Sequence, residues 1–539
     1  MDSLNKQASS PMLFNSVGFI LMFLPITFLG MYLLSRHSQN LAALWLGLAS
    51  VCFYAVWDAR FVLLLLVSIS INYSAGYFIG KRRAEKNRHH ARLALVMALV
   101  INMALLAYFK YFNFFIQSIS AAFGVEITGL DIILPLGISF FTFTQIAFLV
   151  DVYKGLAREY SFVNYLLFVT WFPHLIAGPV IHHKQMMPQF SDSGTWKLST
   201  VNLSAGLTIF IIGLAKKILI ADDLASFASP VFSSAAEGQA IQFFDAWSGA
   251  LAYSLQLYFD FSAYSDMAIG LSLMFNVRLP ANFDSPYKST SIIDFWRRWH
   301  ITLSNFLREY LYIPLGGNRL GKPRRYLNLM ITMLLGGLWH GAGWTFIIWG
   351  GLHGIYLMLN HGWREAKSRM QWKDGGALAS FGSSALTFLV VVIAWVIFRS
   401  ENMSSAQNIL AGMAGLQGIS LPEHLPKIFS TTLASLPWLD VSYDGFFHVQ
   451  KSKPSKVFQH LLIGLLIVWV LPNVRQIMHS AKPVWDDLTV KSKLDSISVS
   501  GKSRIYWKPK QTYAFVIGVL FFYCLTSLSQ KSEFLYFQF

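Results

Sequence analysis

Apolar stretches long enough to cross a bilayer recur along this chain. Phe14 to Leu34, Phe61 to Ile79, Leu93 to Phe115, Leu461 to Leu471 with its flanks, and Thr512 to Leu525 approach or exceed the roughly 18 apolar residues that a spanning helix needs. Only 13% of the 539 residues are charged and 54% are apolar, against about 25% charged in an average soluble protein. A soluble globule is excluded, and the lipid bilayer is the solvent for most of the chain. In lipid every backbone polar group must be satisfied internally, so the architecture read here is all-α and polytopic.

Hydropathy with capping and turn signals gives runs at 14–35, 41–57, 60–80, 92–116, 131–152, 161–181, 203–220, 247–275, 328–361 (long enough for two), 380–398, 457–474 and 511–529. Roughly eleven are expected to span, with others interfacial or re-entrant because Gly and Pro interrupt them. The first run is read as an uncleaved anchor, since no small-residue cleavage pattern follows it. The chain is read as a single membrane-embedded domain, with a motif-bearing core at 160–361 and two polar stretches, 400–455 and 476–510, as loops or small caps. Cys52 and Cys524 lie in apolar runs and are read as buried hydrophobes.

Forty-three Lys and Arg against 27 Asp and Glu leave a net charge of +16. In a spanning chain this excess reflects positive cytoplasmic loops rather than a nucleic-acid partner. The densest short basic loop, Lys81-Arg82-Arg83 to Arg88, places the end of the third run in the cytoplasm, which puts the N-terminus on the periplasmic side of the inner membrane.

From Ser291 to Tyr310, apolar residues fall at helical spacing through Ile292, Phe295, Trp296, Trp299, Leu303, Phe306, Leu307 and Tyr310, so one amphipathic helix is expected, with Ser291 and Asp294 as its capping start. Its polar face carries Arg297, Arg298, Asn305, Arg308 and Glu309, with His300 at the boundary. Those arginines suit either anionic lipid head groups or a phosphate-bearing donor.

Ionisable side chains inside apolar runs are costly and face cavities or the bundle interior. Four clusters qualify: Phe172-Pro173-His174 through Gly178-Pro179, where the prolines imply a broken helix; Gln256 through Asp266, with Asp260 and Asp266; Leu335-Gly336-Gly337-Leu338-Trp339-His340-Gly341-Ala342-Gly343; and Trp349-Gly350-Gly351-Leu352-His353-Gly354, the glycines of the last two letting other backbone or a ligand chain come close. Asp260 and Asp266 read equally as proton-relay acids of a transporter or as hydrogen-bond anchors of an enzyme. On one straight helix His340 and His353 would stand roughly 20 Å apart. No set of His, Cys and carboxylates has metal-ligand spacing, so no metal is expected.

Trp296-Arg297-Arg298-Trp299-His300, the run Arg308-Glu309-Tyr310 to Gly316-Gly317-Asn318-Arg319, and Gly336-Gly337-Leu338-Trp339-His340-Gly341 together resemble the signature of the bacterial membrane-bound O-acyltransferases. Tyr258-Phe259-Asp260-Phe261-Ser262, the Pro173-His174 cluster and the terminal Phe534 to Phe539 extend the resemblance over nearly the whole chain. It is closest to the branch that acetylates exopolysaccharides such as alginate and cellulose. That resemblance implies helices around a central tunnel, with His340 and His300 as catalytic residues. Trp339, Arg297, Arg298, Trp299, His174, Asp260, Asn318, Arg319 and His353 are the candidate substrate- or donor-binding residues.

By the same resemblance acetyl-CoA is the donor, used from the cytosolic side, and a periplasmic acetyltransferase of the SGNH type and the polysaccharide secretion machinery are partners. No Gly-x-Ser-x-Gly elbow in a soluble domain supplies the final transfer within this chain. Histidine suits the chemistry, since its proton equilibrium lies near neutral pH. His340 either deprotonates an acceptor hydroxyl or is transiently acetylated, and the residues leave both open. A flippase for a lipid-linked sugar would use intramembrane Asp and His as readily, and a scaffold for a polysaccharide synthase would need neither.

Overall fold

The computed structural model describes residues 12–158, 161–176, 178–372, 375–422, 440–480, 507–528 and 535. These residues are mostly helical; a two-residue parallel pair, Ile419–Ser420 with Val441–Ser442, is their strand content. Four helices are long and apolar enough to cross a membrane: Arg60–Ala84, Arg88–Phe123, Thr200–Ala236 and Ala377–Arg399. Four shorter apolar helices, Phe19–Ser35, Gln39–Ala55, Pro454–Val470 and Gln511–Thr526, accompany them. The other expected runs fall short for local reasons. Run 161–181 breaks between Phe162–Thr170 and Phe172–Leu175, where Pro173 begins a new turn. The helix Phe243–Met274 has the length but carries Asp245, Asp260, Asp266 and several serines.

The chain divides into two compact units. The first comprises Met1–Ala215, Ala263–Ala281 and Val474–Lys531. Within it, Asn72 on Arg60–Ala84 and Asn102 on Arg88–Leu106 exchange buried amide hydrogen bonds, Nδ2 to Oδ1 at 3.3 Å and 2.7 Å. Reciprocal amides of this kind join helices where the hydrophobic effect between them is weak. Outward-facing Leu63 and Val100 are more than half exposed, as expected of surfaces that meet lipid. Cys524 is buried as expected, but Cys52 is exposed on its apolar helix; toward lipid an apolar thiol needs no burial.

The second unit comprises Lys216–Ser262, Asn282–Asn473 and Ser532–Phe539. Part of the stretch 400–455, expected as loop or small cap, is the helix Met403–Met413, started by a reciprocal cap between Asn402 and Ser405. Residues 423–439 and 481–506 of the two expected polar stretches lie outside the described residues, as does most of the terminal Phe534 to Phe539 motif. The run 328–361 is two helices, Gly321–His340 and Trp344–Arg369, turned back on each other through Gly341-Ala342-Gly343. Their crossing is set by Gly337 and Gly350: a Cβ built on either would lie 3.2 Å from the other's Cα and would collide with a backbone oxygen, that of Phe346 or of Met333.

Neither backbone can yield, so Gly350→Ala is expected to destabilise the protein by about 1–3 kcal/mol. Gly351→Ala, whose added carbon would meet only Leu334 at 3.4 Å, is the matched control. Thermal unfolding of the two purified variants checks this; equal midpoints would refute it.

Candidate active site

The expected amphipathic helix is not continuous. Ser291 does cap its start, its Oγ accepting from the Asp294 N–H at 3.2 Å. The helix then ends at Arg298, and a second one, Ile301–Leu307, begins after His300. The cause is a backbone ladder with the preceding segment: Asp284 N–H donates to the Arg298 carbonyl and Ile301 N–H to the Asn282 carbonyl, both at 2.9 Å. Held this way, His300 adopts φ +43° and ψ +53°. That left-handed conformation costs a side chain other than glycine about 1–3 kcal/mol and collects at functional positions. Periodicity could not show the break, because the apolar spacing runs through it unaltered.

His300 is fully buried. Its ring lies edge-on to Phe261 at 4.8 Å, 6.1 Å from Trp339 and 6.4 Å from the ring of His340. His340 is the last residue of Gly321–His340 and is half-buried. Rings surround it, with Trp339 at 4.9 Å, Trp349 at 5.2 Å and Phe398 at 5.3 Å. The two expected catalytic histidines therefore come from separate elements into one aromatic enclosure, and the His340 side chain retains a route to its surroundings.

His353 is much nearer this enclosure than a straight helix would place it. The glycine turn brings Trp349 between the two histidines, 5.2 Å from His340 and 4.8 Å from His353. His353 is itself fully buried, its Nδ1 accepting from the Trp296 indole N–H at 3.3 Å. Trp299 is buried and stacks on Phe295 at 5.6 Å, so it builds the wall of the enclosure.

The polar residues expected for binding divide. Arg298 is committed to Asp294, its Nε within 3.1 Å of both carboxylate oxygens. Arg297 is exposed, and so are Asn318 and Arg319, which sit in the turn before Gly321–His340. Among the described residues no hydrogen bond or ring contact joins those three to either histidine. Arg297, Arg325 and Arg364, from three different helices, act together on the half-buried His361 and add to the lowering of its pKa that burial begins. His174 belongs to the first unit, where it is buried and its Nε2 donates to the Phe168 carbonyl at 3.0 Å.

Asp260 has partners that sequence reasoning missed. Lys217 Nζ stands 2.6 Å from Asp260 Oδ1 and 2.7 Å from Asp222 Oδ1, and the Leu535 N–H donates to Asp260 Oδ2 at 3.3 Å. Lys217 lies within an apolar run, the same signal that singled out Asp260.

A match to the membrane-bound O-acyltransferase family (MBOAT) covers residues 149–399, which include both histidines. The peptidoglycan O-acetyltransferase of Helicobacter pylori is 42% identical over 88% of this chain and 92% of its own length. The chain belongs to the membrane-bound O-acyltransferase family. The probable alginate O-acetylase AlgI of Pseudomonas putida is 38% identical over 98% of the chain and its own full length. The teichoic acid D-alanyltransferase of Streptococcus thermophilus is 28% identical over 47% of the chain and 67% of its own length. The O-acyltransferase reading of the sequence is thereby established, and with it a membrane protein whose relatives act in polysaccharide O-acetylation.

Proposed function

We propose that this O-acyltransferase takes acetyl groups from cytosolic acetyl-CoA and passes them across the inner membrane for O-acetylation of an exported polysaccharide, with a periplasmic SGNH-type partner completing the transfer. The observation that carries the reading is the convergence of His340 and His300, 6.4 Å apart between ring centres, inside a wall of aromatic rings. A thioester is safe from hydrolysis where rings exclude water. On this reading His340 meets the acetyl group, as base or as transient acetyl carrier, and His300 is the second histidine of the site. The cations Arg297, Arg325 and Arg364, gathered near His361, suit the phosphates of the donor. Alginate and cellulose are candidate polymers, and the similarity to a peptidoglycan O-acetyltransferase adds the wall polymer as a third.

Inside-out vesicles from cells carrying the chain test donor and direction together. Acetyl-CoA labelled in its acetyl group and supplied at the outer, originally cytosolic face is expected to label polymer inside. Equal labelling from acetate or acetyl phosphate would overturn the donor. Labelling by the chain alone, in vesicles stripped of periplasmic proteins, would overturn the need for a partner.

A further inference from the structure

The bonds around His300 fix which of its nitrogens carries the proton. The Thr302 backbone N–H and hydroxyl lie 3.3 Å and 2.9 Å from Asn282 Oδ1. A backbone N–H can only donate, so the Asn282 atom it meets is the carbonyl oxygen and not the amide nitrogen. His300 Nδ1 is 3.1 Å from that same oxygen. Since the oxygen has no hydrogen to give, Nδ1 must be the donor. Deep burial without a carboxylate partner disfavours imidazolium, and in the neutral ring the second nitrogen, Nε2, is then a bare lone pair. Nε2 is buried and has no hydrogen-bond partner among the described residues.

An orphaned buried acceptor on a residue whose backbone is also strained marks a group kept for something other than stability. Asn282 holds this residue twice: its side chain fixes the ring, and its backbone carbonyl receives the Ile301 N–H that shapes the turn.

We propose that Asn282 is a positioning residue that holds His300 as the Nδ1–H tautomer, so that Nε2 accepts the proton of the hydroxyl acylated beside His340. This rests on the acyltransferase site described above. On the carrier route His340 takes the acetyl group as the carbon–sulfur bond of the thioester breaks and the thiolate departs; the hydroxyl oxygen then bonds to the acetyl carbon, its proton passes to Nε2 of His300, and the bond from that carbon to the His340 nitrogen breaks. The proton then leaves Nε2 for the thiolate, which restores the neutral ring and releases the free thiol.

The test is solid-state 15N spectroscopy of the full chain, labelled at histidine and held in lipid bilayers, with the His300 signals identified by their loss in His300→Gln. The unmodified chain is expected to show a protonated Nδ1 and an unprotonated Nε2. In Asn282→Leu the assignment is expected to be lost and acetyl transfer to fall at least about 100-fold, the lower end of what a general base supplies. Asn282→Asp keeps an acceptor in the same place, so it retains the tautomer and rescues transfer relative to Asn282→Leu. Thr302→Val leaves the bond to His300 intact and retains both.

A protonated Nε2 in the unmodified chain overturns the proposal. So does equal loss of transfer in Asn282→Leu and Asn282→Asp with the tautomer unchanged, which would make Asn282 a packing residue. An unmodified chain that transfers no acetyl group would instead defeat the acyltransferase site, while the spectra would still decide the tautomer.

Discussion

Cells that lack their own acetylation gene and carry the His340→Ala chain are expected to hold no polymer-bound acetate above background, while the unmodified chain restores it. The expected loss is at least the 10²- to 10⁴-fold typical of a missing general base. It reaches background if His340 carries the acetyl group itself, because no second route then leads to product. Packing alone would not produce such a loss. The His340 ring is only half-buried, so its removal from between Trp349 and Phe398 leaves an open space rather than a closed cavity, the less costly case for packing. Membrane abundance and the thermal midpoint of the purified variant are accordingly expected to stay near those of the unmodified chain. The same pair of proteins separates the two chemical routes. Brief exposure to labelled acetyl-CoA leaves label bound to the unmodified chain and none on His340→Ala if an acetyl-histidine forms, and leaves label on neither if His340 acts as a base. Full acetylation by His340→Ala would remove the residue from the chemistry.

The sequence carried the outline of this site because its signals are chemical. A histidine or aspartate in an apolar run must be accounted for by any fold, and the glycines beside His340 announced a close approach, which Gly337 and Gly350 make across two helices. What it could not carry were relations between distant segments. Asn282 precedes His300 by eighteen residues in an unremarkable Pro-Ala-Asn-Phe run, and its importance lies in one oxygen shared by Thr302 and His300. Helical periodicity from Ser291 to Tyr310 concealed the break at His300 for a related reason: the apolar face is needed on both sides of the turn, so its spacing persists while the backbone changes direction. His340 and His353 were read as far apart on the assumption of a straight helix, which the turn at Gly341 to Gly343 removes.

Lys217→Met is expected to be the most destructive single change away from the two histidines. Lys217 and Asp260 are almost wholly buried, their side chains 4% and 2% exposed, and Asp222 is 14% exposed. Removal of the ammonium takes away the cation that both carboxylates share, and breaking a buried pair in this way costs about 3–5 kcal/mol. That is a large part of the stability of an ordinary domain. The folded variant is therefore expected at much reduced abundance in the membrane, with a lower thermal midpoint for what remains. Asp260→Asn in the Lys217→Met background removes one of the stranded charges and still offers a carbonyl oxygen to the Leu535 N–H. The double variant is expected to regain part of the lost stability, the signature of coupled neighbours. A transporter that relayed protons through Asp260 would respond differently, losing function in Asp260→Asn while keeping its fold. If Lys217→Met unfolds at the temperature of the unmodified chain, the triad is not structural and Asp260 returns to the list of candidate functional acids.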